Sequence, residues 1–117
     1  MPLAPLNSLN FYESTYANPE PALVEFYSPR CSYCGKLAPV LEDIQAAYGS
    51  TKRLYQLNVD EERELARYYR IRSVPTTILL KRGSPAVTCL GCMAKEQILQ
   101  MWDIANQAQP TPASPSA

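Results

Sequence analysis

The most informative part of this sequence is the stretch Phe26-Tyr27-Ser28-Pro29-Arg30-Cys31-Ser32-Tyr33-Cys34-Gly35-Lys36. Before the cysteines, residues 23–27 form a short β-prone run bounded by prolines. After them, Leu37, Leu41, Ile44 and Tyr48 recur at spacings of three and four, which predicts an amphipathic helix over residues 32–48. Two cysteines separated by two residues therefore stand between a strand and a helix. That spacing suits the roughly 4.4–6.8 Å between Cα atoms that a disulfide requires.

The position of Cys31 at the start of the predicted helix favours a reactive sulfur. Unpaired backbone N–H groups and the positive end of the helix dipole stabilise a thiolate there. A thiolate is the attacking species in disulfide exchange and also the better leaving group. Cys34, one turn further along, is expected to be shielded and suited to resolving a mixed disulfide. The pattern indicates redox catalysis, with a structural disulfide or half of a zinc site as the alternatives.

The rest of the sequence alternates between strand and helix patterns. Residues 54–59 and 76–80 are β-prone, and a hairpin loop at residues 81–84 leads into a further β-prone run at residues 86–88. Helices are predicted at about residues 62–69 and 94–108. This alternation predicts an α/β fold in which a central mixed sheet is flanked by helices.

The two ends of the sequence differ in composition from the part between them. Proline and small polar residues dominate residues 1–8, and the last eight residues are Pro, Thr, Ala and Ser alone. Such segments bury too little surface to offset the entropy of ordering. We therefore expect a flexible N-terminal segment at residues 1–8, a domain at residues 9–108 and a disordered tail at residues 109–117.

Composition and charge exclude several classes of function. The 117 residues contain no histidine, so a Ser-His-Asp triad, a Cys-His dyad and any histidine-ligated metal are excluded. Eleven basic residues balance eleven acidic ones, which offers no general field for nucleic acid or anionic membrane. The four glycines are not spaced for a nucleotide loop. We expect no metal and no organic cofactor.

The start of the chain lacks the basic residues and the continuous apolar stretch of a signal peptide. No apolar run approaches the roughly 18–20 residues that span a bilayer. A cytoplasmic protein is the expectation. A periplasmic or secreted protein is the alternative if a signal peptide has been removed.

The stretch from Phe26 to Lys36 and several later segments resemble the thioredoxin superfamily. The resemblance continues through Leu37-Ala38-Pro39, Leu57-Asn58-Val59-Asp60, Tyr69-Arg70-Ile71-Arg72-Ser73-Val74-Pro75-Thr76 and Lys81-Arg82-Gly83 to Gly91. It covers roughly residues 20–106. It implies a thioredoxin-like fold and thiol–disulfide oxidoreductase activity, in which Cys31 is the attacking nucleophile and Cys34 the resolving thiol.

The resemblance also implies a substrate-binding surface. Pro75 matches the superfamily's cis-proline, which lies beside the sulfurs and, with Val74 before it, presents backbone to an extended substrate. Gly91 matches a glycine of the same surface. Tyr33, between the two cysteines, is the aromatic residue that we expect to contact substrate at the rim of the disulfide.

Glu25 lies on the strand before the cysteines. Because that strand should be covered on both faces, a carboxyl group there is costly unless it stays neutral or has a chemical task. Thioredoxins have Asp at this position and disulfide isomerases have Glu. The resemblance implies that Glu25 accepts the proton of the resolving thiol through water. The alternative is a glutamate whose carboxyl group reaches solvent at the end of the strand.

This sequence departs from the superfamily pattern around the cysteines. Arg30 replaces the usual tryptophan, and Ser32-Tyr33 replaces Gly-Pro. Arg30 either stabilises the Cys31 thiolate or is a solvated charge. Oxidants and isomerases of the superfamily usually have a histidine between the cysteines, and here there is none. The direction of net electron flow therefore stays open.

A second pair with the same spacing, Cys89 and Cys92, has no counterpart in ordinary thioredoxins. Four interpretations remain open. The pair is a structural disulfide, two unpaired thiols, a second redox pair that exchanges with or regulates the first, or half of a four-thiolate metal site.

The sequence as a whole predicts an enzyme that reduces disulfides in protein substrates through a Cys31–Cys34 dithiol cycle. The expected electron donor is a flavoprotein of the thioredoxin-reductase type. The first alternative is a disulfide oxidase or isomerase in an oxidising compartment. The second is a non-catalytic thioredoxin-fold module or a thiolate metal-binding module.

Overall fold

Residues 2–107 are described by the structure, a computed structural model, and they contain one five-stranded mixed sheet. The strands are β1 (Ala4–Pro5), β2 (Ala22–Tyr27), β3 (Arg53–Asn58), β4 (Thr76–Lys81) and β5 (Ser84–Leu90). Their order across the sheet is β1-β3-β2-β4-β5. β1, β3 and β2 are parallel, whereas β4 is antiparallel to both β2 and β5. The predicted α/β fold with a mixed central sheet is confirmed.

Three α-helices accompany the sheet in the described part of the chain: α1 (Ser32–Tyr48), α2 (Arg63–Tyr68) and α3 (Lys95–Gln107). A single turn of π-helix at Tyr12–Tyr16 was not predicted, because five residues are too few to show a period. None of the helices in residues 2–107 has the length and apolar character needed to cross a membrane. The tail predicted at residues 109–117 lies outside the described residues.

The core is divided between the two faces of the sheet. On one face, leucines of β2 and β4 pack with apolar residues of α1 and α3; the members of this cluster include Leu23, Leu37, Leu41, Ile44, Leu79, Ile98, Met101 and Trp102. On the other face, Val24 and Phe26 of β2 pack with Phe11 and Tyr69. Successive side chains of a strand alternate between the two faces, so Glu25 lies on the same face as Leu23. β2 is therefore covered on both faces, as predicted.

The N-terminal segment differs from the prediction that residues 1–8 lie outside the domain. Ala4–Pro5 pairs in parallel with Tyr55 and Gln56 of β3, at the edge of the sheet. The flanking residues Leu3 and Leu6 are buried in the cores of opposite faces. Burial of these two leucines offsets the conformational entropy that is lost when the segment becomes ordered. The segment is therefore part of the fold.

The sheet register brings distant parts of the chain to one edge. Phe26 near the end of β2 lies opposite Thr76 at the start of β4, and Thr76 lies opposite Leu90 at the end of β5. The segments that continue from these three positions contain Cys31, Pro75 and Gly91. The antiparallel placement of β4 therefore brings the segments that contain Cys31, Pro75 and Gly91 to the same edge of the sheet.

Replacing Leu6 with alanine tests whether the N-terminal segment is part of the core. Leu6 is 2% exposed, so Leu6→Ala should lower the free energy of unfolding by about 2–4 kcal/mol through lost burial and a cavity. Urea unfolding measures the change. The control is Leu9→Ala, because Leu9 is 93% exposed and its truncation should change stability by less than about 0.5 kcal/mol. Equal, small changes in both variants would contradict the buried placement.

Candidate active site

Cys31 is the residue that precedes the first turn of α1, and its sulfur acts as the helix cap. The backbone of Cys31 is extended, and its Sγ accepts a hydrogen bond from the Cys34 N–H at 3.2 Å. The same Sγ lies 3.6 Å from the carbonyl oxygen of Val74, to which its thiol donates. Cys31 is partly exposed and Cys34 is buried, and both are free thiols. The sulfur nearer to solvent is therefore the one that lies at the N-terminus of the helix, with a backbone N–H directed at it.

Cys34 holds its proton more firmly than an ordinary thiol does. Burial raises the pKa of Cys34 to about 12, and its hydrogen bond with Cys31 adds to the rise. A backbone hydrogen bond from Ser28 acts in the opposite direction and is outweighed. Cys34 is thus a protonated, shielded thiol one turn behind the accessible sulfur, and its attack on a mixed disulfide requires a base.

Glu25 lies beneath the cysteines on β2, and its carboxyl group is buried rather than brought to solvent. The side chain is 2% exposed, and its Oε2 has no hydrogen-bond partner among residues 2–107. Burial raises its pKa to about 7. Glu25 shares with Cys34, Cys31 and Gln56 a cavity of about 180 Å³. That volume is several times the roughly 30 Å³ that one water occupies in the liquid.

The predicted substrate-binding residues come together around Val74, whose carbonyl oxygen lies beside Cys31. The Val74–Pro75 peptide bond is cis, and the Gly91 N–H donates to the Pro75 carbonyl oxygen at 3.0 Å. Tyr33, 61% exposed, completes with these residues a groove of about 280 Å³. We call it the apolar groove; it is lined by Tyr33, Val74, Pro75, Gly91 and Met93.

Met93 is the residue of the apolar groove that sequence reasoning missed. It stands in the irregular segment between β5 and α3, where no helical or strand period marks a side chain as inward or outward. Its position directly after Cys92 was the available signal. Its flexible thioether suits a surface that adapts to different side chains.

A second, larger groove includes Cys31 in its lining and shares Val74 with the apolar groove. It has a volume of about 360 Å³ and is lined by Ser28, Arg30, Cys31, Val59, Asp60, Ile71, Arg72, Ser73 and Val74. We call it the charged groove. Within it Arg30 forms an ion pair with Asp60 at 3.2 Å. The Ser28 hydroxyl also donates to Asp60 at 2.7 Å, and these hydrogen bonds, that of Ser28 first, hold the pKa of Asp60 below its ordinary value. Arg30 is therefore directed toward a carboxylate, a partner that sequence reasoning did not identify.

Cys89 and Cys92 form a disulfide with 5.8 Å between their Cα atoms. Both are half-buried and pack against the core cluster between the sheet and α3. The four-residue ring encloses Gly91, whose φ is +65° and whose N–H contacts Pro75. Within residues 2–107, no three cysteine, aspartate or glutamate side chains are grouped so that they could hold a metal ion.

A mixed sheet that carries two cysteines at the start of a helix, beside a cis-proline, defines a thiol–disulfide oxidoreductase of the thioredoxin fold. The comparisons with known proteins agree. A family model described as Thioredoxin matches residues 2–103, and the chain belongs to the thioredoxin family. The predicted superfamily membership is thereby confirmed.

Curated relatives include three proteins named thioredoxin. The thioredoxin of Alicyclobacillus acidocaldarius subsp. acidocaldarius is 37% identical over 93 residues, which are 80% of this chain and 88% of that protein. The chloroplastic M-type thioredoxin of Chlamydomonas reinhardtii is 38% identical over 80 residues, which are 68% of this chain and 57% of that protein. The thioredoxin of Haemophilus influenzae is 31% identical over 88 residues, which are 74% of this chain and 82% of that protein.

The raised pKa of Glu25 predicts a pH dependence of stability. Between its ordinary value of 4.5 and about 7, the folded protein holds a proton that the unfolded chain has released. The free energy of unfolding therefore falls as pH rises through this window, and the loss is complete above it. Glu25→Gln removes this contribution, so between pH 5 and pH 8 wild type should lose about 2 kcal/mol more than the variant.

Urea unfolding of the reduced protein at both pH values measures this difference. Cys34, with its pKa raised to about 12, stays protonated throughout the window. The matched control is Glu20→Gln, an exposed carboxylate just before β2, which should retain the wild-type pH dependence. Parallel pH curves for wild type and Glu25→Gln would show that Glu25 is ionised like a solvated glutamate.

Proposed function

We propose that this protein reduces disulfides in protein substrates by cycling Cys31 and Cys34 between dithiol and disulfide. The observation that carries the proposal is the arrangement of the two sulfurs. A partly exposed Cys31 lines the charged groove and lies beside Val74, the residue that lines both grooves, and a buried Cys34 stands one helical turn behind it. A substrate disulfide can therefore reach Cys31 but not Cys34, and Cys34 is placed to resolve the mixed disulfide that Cys31 forms.

The reaction proceeds in two exchanges. The Cys31 thiolate attacks one sulfur of the substrate disulfide, a bond forms between these two sulfurs, and the other substrate sulfur leaves as a thiolate. Cys34, after losing its proton, attacks Cys31 and displaces the first substrate sulfur. The substrate has gained two electrons, and the protein holds a Cys31–Cys34 disulfide. A flavoprotein donor of the thioredoxin-reductase type is proposed to return the electrons.

The proton of Cys34 is proposed to pass to Glu25. Cys34 has a pKa of about 12 and does not ionise unaided near neutral pH, whereas Glu25 has a pKa of about 7 and is partly ionised there. A base whose pKa lies near the working pH transfers protons most effectively. The cavity that both groups line has room for water molecules that would carry the proton between them.

An extended substrate segment is proposed to lie along Val74 and Pro75. The Gly91 N–H is taken by the Pro75 carbonyl, so this hydrogen bond holds the two sides of the apolar groove together. Tyr33 and Met93 then cover the substrate segment with apolar surface. Backbone contacts accept many sequences, which suits an enzyme that acts on protein disulfides in general.

We propose the cytoplasm as the compartment, because net reduction requires a reducing environment. One observation favours the alternative of an oxidase or isomerase in an oxidising compartment: the disulfide between Cys89 and Cys92. We propose that this second pair is structural and holds Gly91 against Pro75, since both sulfurs are half-buried against the core.

Serine variants of the first pair test the catalytic roles. Cys31→Ser should abolish reduction of insulin disulfides, because no nucleophile remains at the grooves. Cys34→Ser should also lose turnover but accumulate a mixed disulfide between Cys31 and substrate, which mass spectrometry detects. Full activity of Cys31→Ser would place the reaction at another cysteine, whereas a wild type without activity would indicate a non-catalytic module.

The same mixed disulfide provides a test of Glu25. Glu25→Gln should slow the second exchange, in which Cys34 displaces the substrate from Cys31, by roughly a hundredfold at pH 7. Formation of the mixed disulfide should be unchanged, and rapid-mixing experiments measure both steps. An equal loss in both steps would point to a structural role for the carboxyl group.

A redox titration in graded thiol buffers tests the direction of net electron flow and the role of the pair Cys89 and Cys92. Mass spectrometry follows the oxidation state of each cysteine pair separately. A reduction potential near about −270 mV for Cys31–Cys34 fits a cytoplasmic reductase, whereas one above roughly −180 mV fits an oxidant or isomerase. A structural Cys89–Cys92 disulfide should stay oxidised to about −300 mV or below. Titration of both pairs together would instead make Cys89 and Cys92 part of the redox machinery.

A further inference from the structure

The charged groove contains a positive charge that the reaction described above does not use. Cys31 lines this groove, and Val74 lines both it and the apolar groove, so the two grooves meet beside the reactive sulfur. A substrate segment that passes Val74 therefore has an apolar surface on one side of its disulfide and a polar one on the other.

The two arginines of the charged groove are not equivalent. Arg30 is paired with Asp60, which also accepts the Ser28 hydroxyl, so its charge is locally compensated. Arg72 is exposed and has no ion pair with any residue between 2 and 107. The groove next to Cys31 thus has a net positive charge that belongs to Arg72.

Acidic residues nearby line a different depression. Glu61, Glu62 and Glu64 surround a cleft together with Arg63, and this cleft shares with the charged groove only Asp60. Neither Cys31 nor Arg72 lines it. The carboxylates therefore lie beyond Asp60, while the end of the charged groove formed by Arg72, Ser73 and Val74 has no acidic side chain in its lining.

We propose that Arg72 selects protein disulfides in which one flank of the attacked cysteine carries an acidic side chain. This inference rests on the proposed reductase function and specifies its substrates. An aspartate or glutamate on the flank that lies in the charged groove pairs with Arg72, whereas a lysine there is repelled. The other flank faces Tyr33, Pro75 and Met93, and the lining of that groove contains no charged side chain.

The proposed ion pair between Arg72 and an acidic side chain of the substrate is partly exposed to solvent. Such pairs contribute modestly and are screened by salt, so a preference of about threefold to fivefold for glutamate over lysine is expected in kcat/KM. Reversal of the charge at position 72 should invert that preference. The total change in the glutamate-to-lysine ratio is then roughly tenfold or more.

The experiment uses disulfide-linked peptide pairs that are identical except for one residue beside the attacked cysteine. That residue is Glu, Gln or Lys, placed before the cysteine in one set and after it in another. The rate of reduction gives kcat/KM for wild type, Arg72→Glu and the conservative Arg72→Lys. The matched control is Arg67→Glu, since Arg67 is an exposed arginine of α2 that lines neither groove.

Wild type and Arg72→Lys should prefer glutamate at one flank only, Arg72→Glu should prefer lysine at that flank, and Arg67→Glu should behave as wild type. The preference should decrease in about 0.5 M salt, where screening is effective within several ångströms. Equal rates for all peptides, an equal preference at both flanks, or a wild-type preference in Arg72→Glu overturns the inference. Failure of wild type to reduce even the glutamine peptides would instead overturn the proposed function, so the two failures are distinguishable.

Discussion

The hydrogen bond from the Cys34 N–H to the Cys31 sulfur is the interaction on which the site depends. A helix of 17 residues begins there, and its first donors need an acceptor that serine, threonine or aspartate usually supplies. In this protein the acceptor is a sulfur. The same contact that begins α1 therefore orients the reactive atom and places it at the positive end of the helix.

Burial separates the tasks of the titrating groups behind that sulfur. Cys34 lies in the first turn of α1 and Glu25 on β2; the two line one cavity, and removal from water raises the pKa of both. For the thiol the result is a proton that does not leave on its own near neutral pH. For the carboxyl group the result is a pKa of about 7, where it is able to accept one. A single cavity thus pairs a weak acid with a base suited to it, at a cost in folding free energy that the surrounding apolar packing offsets.

The surface around Cys31 is built from segments that the sheet register brings together. Pro75 precedes β4, Gly91 follows β5, and one backbone hydrogen bond joins them. Gly91 lies within the disulfide ring at residues 89–92 and has a positive φ that few other residues adopt readily. The chain in this way presents two different grooves, one apolar and one charged, which meet at Val74 beside Cys31.

Local patterns in the sequence were enough to locate the main elements and the first cysteine pair. The apolar period from Leu37 to Tyr48 predicted α1 at its observed bounds, and the hairpin loop before β5 lies where Gly83 indicated it. These predictions succeeded because helix period, turn residues and cysteine spacing act over a few neighbouring residues. The N-terminal segment was assigned to the outside of the domain, since nothing local to Leu3 and Leu6 shows that β3 lies beside them.

Sequence patterns were sufficient to predict the thioredoxin-like fold, the strand–cysteine–helix arrangement and the type of chemistry that it supports. Which side chains share a surface is visible only in the folded protein. The burial of Glu25 beside Cys34, the pairing of Arg30 with Asp60, and the place of Met93 and Arg72 in opposite grooves join residues far apart in the chain. Contacts of that kind depend on strand register and on how helices pack across the sheet, and no period or motif in a single sequence records them.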